Sequence, residues 1–220
     1  MEAVNLPHPG VKPRMRGVLH SYAFFVSLVT GAVLIVAASG ARAIAAVSIY
    51  ASTIATLFGV SALYHRINWS PGRRRWMRRL DHSMIFLLIA GTYTPICLLA
   101  LSGTLAVVVL SVVWGGAATG ILLKLFWLDA PTWLVAAVYV ALGWAGAAAL
   151  PQIATEAGVT VLVLVLTGGI LYSVGALVYA RKSPDPVPTV FGYHEVFHSL
   201  VIVAAVLHYT AVLFFVVPAA

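Results

Sequence analysis

Long runs of apolar residues, separated by short polar links, constrain this chain more than any other feature of its sequence. A helix needs roughly 20 apolar residues to cross the hydrocarbon core of a bilayer. Measured against that length, the 220 residues contain seven candidate spans, at 18–39, 43–65, 80–101, 105–125, 131–150, 159–180 and 191–217. The pattern predicts an all-α fold, a seven-transmembrane helix bundle that forms a single domain over residues 1–220.

Composition excludes an ordinary soluble domain. The chain is 62% hydrophobic and 9% charged, whereas a soluble domain is about half apolar and about a quarter charged. A net charge of +7 would suggest nucleic acid as a partner of a soluble protein. Here the basic residues flank the apolar segments, so we expect them to face membrane lipids and no nucleic acid. The one cysteine, Cys97, excludes an internal disulfide.

Lysine and arginine are unequally distributed between the two ends of the predicted spans. With seven spans, the N-terminus and the 2–3, 4–5 and 6–7 links share one side, which holds all of the 13 basic residues except Arg42. Cytoplasmic loops carry an excess of basic residues, so we expect the N-terminus in the cytoplasm and the C-terminus outside. We interpret the arginine cluster before the third span as a topology anchor; an anionic-lipid site is the alternative.

Four ionisable side chains are predicted to lie at one depth near the cytoplasmic face. His65 ends the second span and Asp81 begins the third, while the seventh begins with His194-Glu195-x-x-His198. Histidines four residues apart share one face of a helix. Ionisable groups inside a membrane usually face a cavity or one another. Three imidazoles with an open fourth position form the ligand set of a catalytic zinc site, so His65, His194 and His198 are the predicted ligands and Zn²⁺ the metal.

Three further side chains are candidates for catalysis at this site. Asp81 is the first candidate for the residue that orients a water and takes its proton, and Glu195 is the second. Ser61 lies four residues before His65, on the same helix face, and could donate a hydrogen bond to the Asp81 carboxylate. The alternatives are an Asp81–Arg78 pair at the membrane surface and a Ser61 hydroxyl bonded to its own helix.

The remaining histidines near these spans are assigned other positions. We expect His20 to cap the inner edge of the site and His82 to face the lipid headgroups. His208 lies about 15 Å beyond His198 along the helix, too far to bind the same ion. It is expected to be a buried hydrogen-bonding residue or part of a polar path.

Together these motifs resemble the hemolysin III family, the bacterial branch of the progestin and adipoQ receptors, which include the adiponectin receptors. The motifs are Ser61-Ala62-Leu63-Tyr64-His65, Asp81-His82-Ser83, Gly91-Thr92-Tyr93-Thr94-Pro95, and His194-Glu195-x-x-His198 with His208. The resemblance implies a multi-pass protein of the bacterial inner membrane, with zinc held by His65, His194 and His198 near the cytoplasmic face. It also implies that Asp81 reaches the metal through water and that Ser61 lies nearby.

One departure from the family pattern falls before the first span. Many bacterial relatives carry Glu-x-x-Asn-x-x-Thr-His there, and this chain, with Pro13 in the first position, keeps only His20. Any role of that acidic residue therefore cannot be transferred.

Three functions compete. The first is a zinc-dependent hydrolase of lipid amides or esters, similar in site design to alkaline ceramidases, whose substrate enters from the membrane. The second is a non-enzymatic membrane-homeostasis or signalling protein, in which zinc is a structural clasp between the second and seventh spans. The third is a pore-forming hemolysin, which the expected lack of an export signal and of a soluble form disfavours. A zincin protease is excluded because no acidic residue follows Glu195, and a retinal protein because Lys182 is the last lysine.

Overall fold

Seven long apolar helices make up the fold. The computed structural model describes residues 12–220, and within them seven helices are long and apolar enough to cross a membrane. In chain order they are α1 Val18–Ala37, α2 Ala41–Arg66, α3 Pro71–Ala100, α4 Gly103–Phe126, α5 Thr132–Ala157, α6 Val159–Arg181 and α7 Tyr193–Ala219. The predicted all-α bundle of seven spans is confirmed. Residues 1–11 of the predicted single domain lie outside the described residues.

Helix α3 begins well before the predicted start of the third span. The sequence suggested a polar link up to residue 79, but the helix starts at Pro71. Proline suits the first turn of a helix because its missing N–H would have no partner there, and arginine has a high helix propensity. The arginines between 73 and 79 therefore lie on a helical extension and not on a loop.

Helix α5 also differs from its predicted range, because it continues beyond residue 150 in an irregular form. A regular helix ends at Gly143, and short 3₁₀ and π turns carry the chain to Ala157. The Tyr93 hydroxyl donates to the Gly143 carbonyl at 2.6 Å and accepts from the Gly146 N–H at 3.2 Å. These bonds satisfy backbone groups that the broken helix leaves free, as a non-helical segment at membrane depth requires.

Helices α2, α3 and α7 form the interior of the bundle. In their apolar windows 50%, 61% and 44% of residues are buried, against 22–28% in the other four helices. Close approach depends on small residues: a Cβ atom at Gly91 of α3 would overlap Thr53 of α2, and one at Gly120 of α4 would overlap Phe86 of α3. Small residues at such crossings are typical of membrane helices. The three interior helices also carry the candidate site.

The outer surface of the bundle is apolar. Val36 on α1 and Phe126 on α4 are each 85% exposed. In water, large contiguous apolar patches promote association, whereas in a bilayer they contact acyl chains. This surface therefore implies a lipid environment.

The two ends of the bundle differ in charge. The Arg14 N–H donates to the Thr189 carbonyl at 3.0 Å, and Arg78 pairs with Asp129 at 2.9 Å. These contacts bring the segment before α1, the start of α3 and the 4–5 and 6–7 links to one end, which we call the basic end. At the opposite end, Ser102 donates to Glu156 at 2.9 Å.

Candidate metal centre

Three histidines from two helices meet near the basic end. His65 lies in the last turn of α2, and His194 and His198 lie in the first two turns of α7. The Nε2 atoms of His65 and His194 are 3.1 Å apart. One ligand atom from each of the three rings lies within 4.8 Å of the other two. The structure thus brings together the three predicted ligands.

The three imidazoles fit a metal ion. Ligand nitrogens about 2.0–2.1 Å from a tetrahedral zinc lie roughly 3.3 Å from one another, close to the 3.1 Å between His65 and His194. His65 and His198 are buried, and the neutral imidazole is the form of histidine that binds metals. The free thiol of Cys97 lies in the apolar core and is not part of this group. The donor set is therefore three nitrogens, which suits zinc.

His20 and Ser61 support the ligand on α7. The His20 ring stacks on His198, with centroids 3.7 Å apart and planes 1° from parallel. Its Nδ1 lies 2.9 Å from the Ser61 hydroxyl oxygen. Ser61 thus contacts His20, and its hydroxyl also lies within hydrogen-bonding reach of the Asp81 carboxyl group, the partner that the sequence suggested. The chain Ser61–His20–His198 holds one ligand ring in a fixed orientation.

Asp81 lies beside the histidine cluster. Its Oδ2 atom is 4.0 Å from His65 Nε2, and its side chain lines a cavity next to His194 and His198. The surface pair with Arg78 does not form, because Arg78 instead contacts Asp129 at 2.9 Å. The Asp81 carboxyl group is therefore within reach of a group held by the three histidines.

Glu195 occupies a different environment from Asp81, although it is adjacent to His194 in sequence. It is 1% exposed, and its Oε1 atom accepts from Arg16 Nε at 2.5 Å. Its Oε2 atom accepts from the Gly192 N–H at 2.9 Å and so caps the start of α7. Among the described residues, Glu195 is not part of the cavity lining. Its two oxygens hold the helix start and the segment before α1.

The segment before α1 packs over the cluster, and the sequence analysis did not identify its role. Arg14 and Met15 donate their N–H groups to the Thr189 and Val190 carbonyls at 3.0 Å. Gly17 has a left-handed backbone with φ +77°, and a Cβ atom there would lie 2.6 Å from the His65 Cβ atom. Only glycine fits at this position. A single glycine directly before an apolar span was the available signal.

An apolar cavity extends from the cluster into the bundle. Its volume is about 160 Å³. Asp81, His194 and His198 line its end near the histidine cluster, and His208 lines its deep end. Between them the wall is apolar, with Leu57, Ile85, Leu88 and Val201. His82, which was expected at the headgroups, also lines the cavity. A mostly apolar cavity with a few polar groups at defined places is typical of a small-molecule site.

Basic side chains lie close together at the basic end of the bundle. Partial burial, and then the neighbouring Arg66, Arg74 and Arg16, lower the pKa of Lys12 from its ordinary value. Burial is the larger cause, and the contribution of the three arginines shows that positive charge surrounds Lys12. This charge favours anionic headgroups and anionic groups of a ligand near this end.

Comparison with known proteins shows similarity to Haemolysin-III related proteins over most of the chain. A family described as Haemolysin-III related matches residues 10–209. Hemolysin-3 of Bacillus cereus is 33% identical over 207 residues, which are 92% of this chain and 91% of that protein. The Hemolysin-3 homolog of Bacillus subtilis (strain 168) is 35% identical over 170 residues, 74% of this chain and 76% of the relative. The human Monocyte to macrophage differentiation factor is 26% identical over 168 residues, 74% and 67% of the two chains.

Proposed function

We propose a zinc-dependent function for this chain, which belongs to the Haemolysin-III related family and is a multi-pass membrane protein. The proposed ligands are His65, His194 and His198, whose donor atoms lie within 4.8 Å of one another. Bound zinc would lower the pKa of a water molecule and polarise a carbonyl group.

We propose hydrolysis of a lipid amide or ester as the reaction. The observation that carries this proposal is the position of the histidine cluster and Asp81 at one end of an apolar cavity. The apolar wall suits an acyl chain, and the polar end suits the bond to be cleaved. A lipid substrate in the bilayer would enter such a cavity laterally, by passing between two helices.

Asp81 is the proposed general base. Its carboxylate lies 4.0 Å from His65 Nε2 and lines the cavity, so it can accept a proton from a water held beside the cluster. Glu195 is the weaker candidate, because Arg16 and the Gly192 N–H occupy its two oxygens. Ser61 has a positioning role through His20, which stacks on His198.

A structural clasp is the second candidate function. His65 lies at the end of α2, whereas His194 and His198 lie at the start of α7, so one ion would join two helices that are distant in sequence. A closed site of this kind would stabilise a membrane-homeostasis or signalling protein without turnover.

The proposed location is the bacterial inner membrane, with the basic end in the cytoplasm. Twelve basic residues, all of the 13 except Arg42, belong to segments that meet at this end or adjoin it. Basic segments remain on the cytoplasmic side. The metal centre would then lie near the inner leaflet.

One experiment distinguishes the enzyme from the clasp. Purified protein with a measured zinc content is incubated with a panel of long-chain amides and esters, and released fatty acid is quantified. The enzyme proposal expects release by the wild type and its loss in Asp81→Asn. Full zinc content without release from any substrate favours the clasp.

A further inference from the structure

The deep end of the cavity contains two buried polar atoms without a hydrogen-bond partner among residues 12–220. They are Nδ1 of His208 and the hydroxyl oxygen of Tyr172. Both residues line the cavity, and their ring centroids are 5.6 Å apart. Buried polar groups in proteins are nearly always bonded, and an unpaired group at membrane depth is costly. A molecule in the cavity is therefore the natural partner of this pair.

Several other polar groups that line this part of the cavity are satisfied within the protein. Trp144 Nε1 donates to the Ser173 hydroxyl at 2.9 Å, and Ser173 donates to the Gly169 carbonyl at 2.8 Å. Thr92, which also lines the cavity, donates to the Leu88 carbonyl at 2.8 Å. These groups need nothing from a ligand. Among residues 12–220, unpartnered buried atoms also occur on Tyr50, close to Tyr172, and on His20 and His82, which line the cavity.

The hydrogen bond of His208 determines what its free nitrogen can do. Its Nε2 lies 3.1 Å from the Val165 carbonyl oxygen, which can only accept, so Nε2 carries the proton. In a neutral imidazole Nδ1 is then an acceptor. The ring cannot easily turn, because it packs directly on Gly168, where a Cβ atom would overlap it. The deep end thus presents a fixed acceptor.

The complement of this pair is a neutral group that both donates and accepts. Such a group donates to His208 Nδ1 and exchanges a hydrogen bond with the Tyr172 hydroxyl, which can donate or accept. A hydroxyl or a secondary amide meets this requirement. A carboxylate does not, because it has no proton to offer Nδ1.

The spacing of the two polar ends defines the ligand class. His208 is about 15 Å from His198 along α7 at 1.5 Å per residue, and the wall between them is mostly apolar. We infer that the cavity binds a long-chain amphiphile whose chain carries a hydroxyl or amide group, which His208 and Tyr172 recognise. This inference deepens the proposed function and rests on it in one respect, since it takes the cavity to be the acyl-chain site.

The test uses ligands that cannot be hydrolysed. Zinc-loaded protein is titrated with a long-chain fatty acid, with the same acid bearing a mid-chain hydroxyl, and with the methyl ether of that hydroxyl. One or two neutral hydrogen bonds should make the hydroxylated acid bind roughly fivefold to fiftyfold more tightly than the unsubstituted acid. The methyl ether should lose this advantage, because it cannot donate to His208 Nδ1.

Variants assign the advantage to the two residues. Tyr172→Phe and His208→Phe should each reduce it while the unsubstituted acid still binds. Thr92→Val is the matched control, since it removes a cavity hydroxyl that is already bonded to its own helix. Zinc content, measured on the same samples, shows that each variant is folded at the metal centre. If His208→Phe loses zinc, the result for the near-isosteric Tyr172→Phe variant is used to decide whether the pair recognises the hydroxyl group.

The outcomes separate this inference from the proposed reaction. Equal affinity for the hydroxylated and unsubstituted acids would overturn the inference, and would mean that the pair binds water only. An advantage that persists in Tyr172→Phe and His208→Phe would overturn it as well. If the protein bound the hydroxylated acid more tightly but hydrolysed none of the substrates tested, the proposed reaction would be wrong and this inference would still hold.

Discussion

Arg16 and Glu195 form an ion pair across 179 positions of the sequence, with Arg16 Nε 2.5 Å from Glu195 Oε1. The pair joins the segment before α1 to the first turn of α7. Because Glu195 also accepts from the Gly192 N–H, it fixes the start of the helix that carries His194 and His198. The carboxylate of the H-E-x-x-H motif therefore has a structural position in this chain.

Replacing Arg16 by alanine should destabilise the protein and weaken metal retention. The change leaves the buried Glu195 carboxylate without its cation, and breaking such a pair costs about 3 kcal/mol. Thermal unfolding in detergent and zinc content after dialysis measure the effect. Arg14→Ala is the control, because Arg14 contributes its backbone N–H and its side chain is exposed. Equal behaviour of the two variants would contradict the structural role of the pair.

Gly17→Ala should displace His65. The backbone at Gly17 has φ +77°, and a Cβ atom would lie 2.6 Å from the His65 Cβ atom, so strain and steric overlap together should cost roughly 1–3 kcal/mol. We expect lower zinc content and lower thermal stability. Gly72→Ala is the matched control, since a Cβ atom there would meet no described atom within 4 Å beyond its chain neighbours and its own helix backbone, and alanine suits a helix. Normal zinc content in Gly17→Ala would argue against tight packing over His65.

The purified protein should contain about one zinc ion per chain, because three donors converge. Alanine at His65, His194 or His198 should reduce the metal content sharply, whereas His208→Ala should retain it. The zinc content per chain is measured by mass spectrometry before and after treatment with a chelator. Stoichiometric zinc in a His194→Ala, His198→Ala double variant would eliminate the assignment.

The basic end should face the cytoplasm. A reporter that is active only in the cytoplasm should be inactive when fused after Ala220 and active when inserted in the short link at 67–70. The reason is the retention of lysine and arginine on the inner side. The opposite pattern would reverse the orientation and place the metal centre near the outer leaflet.

Asp81→Asn should preserve zinc and remove most hydrolysis, since a general base contributes about a hundredfold to ten-thousandfold. Glu195→Gln should reduce turnover less, and mainly through lower stability, because Glu195 contacts Arg16 and the helix start. Initial rates at equal zinc content compare the two. If Glu195→Gln caused the larger loss at unchanged stability, Glu195 would be the base.

The apolar runs of the sequence were sufficient to predict the number of spans, and they predicted a common depth for the polar residues. Bilayer thickness and helical rise convert an apolar run directly into a membrane span. The same helical rise per residue predicted one depth for His65, His194 and His198. Their donor atoms lie within 4.8 Å of one another in the structure. The apolar length did not predict the start of α3 at Pro71, because the first turns of that helix are rich in arginine and have no hydropathy signal.

The contacts among these side chains depend on how the helices pack, which the sequence did not reveal. A hydropathy profile gives position along the membrane normal and contains no information on how each helix is rotated or which neighbour it contacts. Rotation and contact depend on close packing, such as Gly17 against His65. They direct Asp81 into the cavity and Glu195 towards Arg16, although both are carboxylates near the same histidines. Depth is a property of each segment, whereas the environment of a side chain is a property of the packed bundle.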